Sequence, residues 1–88
     1  MKGSELVPIS DYYKSNIIDM ITITRSNSWW SAILLIKDPN MDKKFISIYR
    51  WQNVDGTWKT RKNYRFNSKK EITAIMDALN EFANKLDD

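Results

Sequence analysis

Apolar positions in this chain fall into four strand-sized runs and then change period. Asn16 to Arg25, NIIDMITITR, is rich in Ile and Thr, and Met20, Thr22 and Thr24 alternate with Ile21 and Ile23. β-Branched content with a two-residue period predicts a strand. Ser26-Asn27-Ser28 is a turn signal. Trp29 to Lys37, WWSAILLIK, is apolar at both parities, the pattern of a central strand covered on both faces. Pro39 cannot donate to a ladder, and Asp38-Pro39-Asn40 starts a loop. Lys43 to Asn53 and Thr57 to Phe66 are the next two strands, joined by Val54-Asp55-Gly56.

The turn between these strands decides which side chains share a face. A two-residue Asp-Gly turn would place Ile46 and Ile48 beside Lys59, Arg61 and Arg65. A three-residue loop with Gly56 in the left-handed position shifts the register by one. It pairs Asn53 with Thr57, Trp51 with Lys59, Tyr49 with Arg61 and Phe45 with Arg65. Phe45, Tyr49, Trp51, Lys59, Arg61 and Arg65 then lie on one face. Ile46, Ile48, Arg50, Gln52, Trp58, Thr60, Lys62, Tyr64 and Phe66 lie on the other. Because a slip of one residue inverts every side chain, the hydrophobic pattern selects the three-residue loop.

After Phe66 the period becomes helical. Ser68 followed by Glu71 forms a capping box. Ile72, Ile75, Met76, Leu79, Phe82, Ala83 and Leu86 then trace one apolar stripe. The stripe is long for a helix meeting a small sheet, so part of it is expected to face a second subunit. Residues 1–15 show no sustained period and read as an irregular arm, with Tyr12 and Tyr13 packing on the domain. Residues 16–88 form the single domain. The expected class is α+β, a four-stranded antiparallel sheet followed by a C-terminal helix.

Composition narrows the chemistry. The 88 residues include no cysteine and no histidine. Disulfides, thiolate nucleophiles and Cys-based zinc sites are excluded, and so are the usual general base and the commonest metal ligand. There is no Gly-rich phosphate loop. Asp38 and Asp42 flank a loop without EF-hand spacing and read as solvated carboxylates. No catalytic set, cofactor or metal is expected. No apolar run is long enough to span a membrane, and MKGSELVPIS lacks the apolar core of a signal peptide. A cytoplasmic protein is the expectation.

Charge is distributed unevenly. Between Lys43 and Lys70 nine basic residues face a single acid, Asp55, so this stretch carries +8 of a net +3 and leaves −5 elsewhere. A basic block beside an acidic remainder suits a polyanion. A solvated strand face with lysines guarding an edge fits the charge equally well. The aromatics tip the balance, because flat rings accept unstacked bases while Lys and Arg meet phosphates. The candidate nucleic-acid-binding residues are therefore Phe45, Tyr49, Trp51, Lys59, Arg61 and Arg65. Lys69 and Lys70 join them, since cations in the first turn oppose the helix dipole yet suit a phosphate at free backbone amides. Trp29 and Trp30 point to opposite faces. One enters the core and the other extends the stacking surface, in an order the residues do not reveal.

Trp58-Lys59 and Lys62 in a basic strand, then Phe66-Asn67-Ser68, then Glu71 opening an apolar helix, resemble the ends of Whirly proteins and of the transcriptional positive cofactor four family. Ile46, Ile48 and Trp51 resemble the preceding strand. The resemblance covers residues 43–86. It implies a homodimer joined largely through its helices, with single-stranded DNA across the sheets. The reading from residues and resemblance together is a non-catalytic, largely sequence-independent single-stranded nucleic-acid-binding protein, with DNA favoured and RNA a variant. The alternatives are a protein-interaction module and a double-stranded DNA architectural protein.

Overall fold

The computed structural model describes residues 8, 9 and 16–87. The arm expected over residues 1–15, with its Tyr12 and Tyr13, lies outside these apart from Pro8 and Ile9. The architecture is the expected α+β arrangement. Strands β1 (Ile17–Arg25), β2 (Trp29–Asp38), β3 (Lys43–Val54) and β4 (Thr57–Phe66) precede helix α1 (Lys69–Ala83). All neighbouring strands are antiparallel, in the order β1-β2-β3-β4. No helix among the described residues is long and apolar enough to cross a membrane.

Local chemistry explains each connection. The Ser26 hydroxyl accepts from the amides of Ser28 and Trp29 at 3.2 and 3.1 Å, closing the β1–β2 turn. Asp38 accepts from the amides of Asn40 and Met41 at 2.9 and 3.3 Å and so shapes the loop into β3. These are the side-chain-to-backbone bonds through which Ser and Asp initiate turns.

The β3–β4 turn differs from the expectation. Val54 pairs with Thr57, so the loop holds two residues, Asp55 and Gly56. Both have positive φ, 54° and 87°, the mark of a type I′ turn, whose twist matches that of the flanking strands. The Asn53 side chain holds it by accepting from the Gly56 amide at 2.8 Å. The conflict between faces is relieved further along. Trp51 pairs with Thr60 but Arg50 pairs with Lys62, leaving Arg61 as the extra residue of a β-bulge. The bulge flips the parity of β4 midway. Beyond it, Ile46, Ile48, Tyr64 and Phe66 share a face, as expected. On the turn side of it, Lys59 changes face, and so do Trp58 and Thr60.

The core lies on one side of the sheet. Ile17, Trp30, Ala32, Leu34, Ile36 and Trp51 are buried there, with Ile9, Met20, Phe45, Tyr49 and Trp58 packed against them. Strand β2 is central, but its coverage is one-sided. Alternate residues from Trp30 to Asp38 are buried, whereas Ser31, Ile33 and Leu35 are only half-buried. Its apolar character at both parities reflects a second, open apolar surface.

Helix α1 stands on that open side. Ser68 caps it by accepting from the Glu71 amide at 3.2 Å. Glu71 returns a bond to the amide of Asn67 at 2.7 Å, one residue earlier than in the usual capping box. Its other carboxylate oxygen accepts from the Tyr64 hydroxyl at 2.7 Å and ties the helix to β4. Leu35, Ile46, Phe66 and Ile72 line a shallow groove at this joint. Past Ile75 no described helix residue is even half-buried. Leu79 and Phe82 remain 63% and 61% exposed.

Candidate nucleic-acid interface

The structure separates the predicted site residues. Trp51 is 0% exposed and lies 4.7 Å from the equally enclosed Trp30. Its indole offers no surface to a base, which corrects the expectation of a stacking platform there. The cause is that the parity holding Trp51 also holds every residue of β2 that is driven into the core. Tyr49 is half-buried and stacked on Trp51, with centroids 5.5 Å apart and planes at 13°. Phe45 is half-buried beneath the Arg65 guanidinium, which sits 3.8 Å from its ring centroid.

Arg65 also pairs with Asp38 at 3.4 Å. The Asp38 carboxyl is held below its ordinary range, first by the Asn40 amide, then by the Met41 amide and Arg65, against the opposing effect of burial. Arg65 thus fastens β4 to the end of β2. The Tyr64–Glu71 joint behaves similarly. Glu71 is held below its ordinary range by the Asn67 amide and then the Tyr64 hydroxyl, while Tyr64 is raised by Glu71.

Lys59 and Arg61 belong to the opposite side from the aromatics predicted to accompany them. Lys59 pairs with Gln52, and the Arg61 guanidinium donates to the Gln52 side chain at 3.0 Å. Gln52, Arg50 and Trp29 all lie on the open side, where Arg50 stacks 4.4 Å from the Trp29 ring centroid and donates to Ser31 at 3.2 Å. Lys62 lies directly across from Arg50. Lys69 and Lys70 are exposed at the start of α1, with Glu71 the acid of that first turn.

Trp30, then, is the core tryptophan and Trp29 the open one. Three residues that the sequence reading left out of the site, Arg50, Lys62 and Tyr64, join Lys59 and Arg61 on the open side, together with Trp29, whose side the residues had left undecided. One signal pointed there: Asp-Gly is the strongest short hairpin signature. The bulge that brings Arg61 and Lys62 to one side left no such mark in the sequence.

The open side is divided along its strands. Its half near α1 is apolar, with Ile21, Ile33, Leu35, Ile46 and Phe66. Its half near the β3–β4 turn is polar and cationic, with Arg50, Gln52, Lys59, Arg61 and Lys62. Among the described residues none of these four cations is in an ion pair. No group of three potential metal-ligating side chains occurs among the described residues. No family model, curated protein or solved structure matches the chain.

Proposed function

We propose that this chain is a non-catalytic protein that binds single-stranded nucleic acid, DNA in preference, and acts as a homodimer. The observation that carries the reading is the set of exposed cations on β4, Lys59, Arg61 and Lys62, with Arg50 beside them and, among the described residues, no carboxylate paired to any. Phosphate neutralisation supplies the affinity, and bases stacking on exposed rings favour single strands over a duplex. The resemblance to the positive cofactor four and Whirly families agrees with this, and a cytoplasmic location belongs to the same reading.

The dimer is supported by the helix. Met76, Leu79, Phe82 and Leu86 are exposed together, and a contiguous apolar stripe of this kind marks an interaction surface. A second reading, a module that binds another protein, rests on this stripe alone.

Fluorescence anisotropy with labelled single-stranded and duplex oligonucleotides tests the reading. Binding should favour the single strand. With four cations engaged, log K should fall against log salt with a slope of about −3. Equal, weak binding to both probes refutes nucleic-acid recognition and leaves the protein module. Sedimentation of wild type and Leu79→Glu should show a dimer converted to a monomer.

A further inference from the structure

We infer that the single strand lies on the helix-bearing side of the sheet, across its half next to the β3–β4 turn. This rests on the proposed nucleic-acid reading and goes further by assigning the surface and the residues that take base and phosphate.

The rings of the core side are already engaged. Trp30 and Trp51 are buried against each other. Tyr49 stacks on Trp51, and Phe45 is capped by Arg65. Trp58 meets Trp30 edge-on, and Arg25 lies over both, 4.0 Å from Trp30 and 5.5 Å from Trp58. A base could stack there only by dismantling packed contacts. Of the cations on that side, Arg65 is paired with Asp38 and Arg25 is held over the two indoles.

On the open side a base disturbs only peripheral contacts, the edge of Phe66 against Tyr64 and the Arg50 guanidinium over Trp29, and leaves the buried indoles in place. The bulge at Arg61 turns Lys59, Arg61 and Lys62 towards one side together, where Arg50 already points. A groove of about 480 Å³ opens there, lined by Ser31, Ile48, Arg50, Lys62 and Tyr64 together with Tyr49 and Asn63. That volume falls within the range of small-ligand sites. Ile48 and Tyr64, a residue 49% exposed, form an apolar seat for one base. Arg50 and Lys62, direct cross-strand neighbours, flank it as the phosphate contacts. Trp29, with Arg50 held over its ring, supplies a second stacking position towards β2, and Gln52 extends the polar border. The apolar half of the same side stays free for the helix and a second copy, so strand binding and dimerisation use adjacent territory.

The experiment measures binding of fluorescein-labelled oligo(dT) to the intact chain and its variants by anisotropy, with intrinsic tryptophan emission recorded alongside. Lys62→Glu should weaken binding about tenfold or more and flatten the salt slope by about one. Its far-UV spectrum should be unchanged, because Lys62 is exposed. Trp29→Phe should remove most of the oligonucleotide-induced change in tryptophan emission. If both variants behave as wild type while Arg65→Gln loses binding with its fold intact, the strand lies on the core side and the inference is overturned. If wild type fails to bind oligo(dT) or any other single strand, the functional reading itself falls.

Discussion

The burial of Trp51 predicts a pair of substitutions with opposite consequences. Trp51→Ala removes a fully enclosed indole that touches Trp30 and Tyr49. Truncating a large core aromatic costs about 3–5 kcal/mol, the lost transfer energy plus the cavity left behind. The whole stability of an 88-residue domain is roughly 4–13 kcal/mol, so the alanine variant should lose a large share of it. Trp51→Phe behaves differently. The smaller ring costs about 1–2 kcal/mol in packing. The Trp51 Nε1 group, however, is a buried donor with no hydrogen-bond partner among the described residues, and leaving such a group unsatisfied costs about 1–3 kcal/mol. Phenylalanine removes that donor, so the two effects nearly cancel. Urea denaturation followed by far-UV circular dichroism reads both, at one fixed protomer concentration because association adds to apparent stability. A Trp51→Ala variant within about 0.5 kcal/mol of wild type would mean that the residue is on the surface. A phenylalanine variant as unstable as the alanine one would show that the indole N–H is satisfied after all.

Two further outcomes follow from the turn and from the carboxylates. Gly56→Ala should destabilise by about 1–2 kcal/mol, the cost of left-handed backbone for an L-residue. Among the described residues no atom beyond Gly56 and its chain neighbours lies within 4 Å of an added Cβ, so the loss is conformational rather than steric, and a thermal melt that does not move would contradict the type I′ turn. Asp38 and Glu71 are both held below their ordinary values of 3.8 and 4.5. A lowered carboxyl contributes stability above its unfolded-state pKa and loses it as pH falls through the native value. The urea midpoint should therefore hold down to about pH 5 and drop below that. Glu71→Gln and Asp38→Asn should each flatten part of the drop; identical acid profiles in all three proteins would exclude these joints as its source.

Much of the fold was legible in the chain because it is written in local patterns. Ile-Thr alternation, Asp-Pro-Asn, and Ser68 with Glu71 each act within a few residues, and each produced the element expected. The helix stripe was legible for the same reason, although its exposure depends on what the rest of the molecule offers to cover it. The candidate site was less legible. Charge and aromatics coincide between Lys43 and Lys70, but a strand presents its side chains alternately. One residue of register therefore separates a binding surface from a core.

By itself the sequence determined four strands, a capped amphipathic helix and a concentration of cations on the last strand, whereas the two-residue Asp-Gly turn replaced the three-residue loop that the hydrophobic pattern favoured. Tertiary structure alone decided that Trp30 and Trp51 are enclosed while Trp29 and Tyr64 are accessible, and that Lys59 and Arg61 keep company with Arg50 rather than with Tyr49. The physical reason is the bulge at Arg61. A two-residue turn sets the parity at one end of the hairpin, burial of β2 and β3 side chains sets it at the other, and the extra residue reconciles them. No local pattern specifies where that residue falls, because its position follows from packing across the whole sheet.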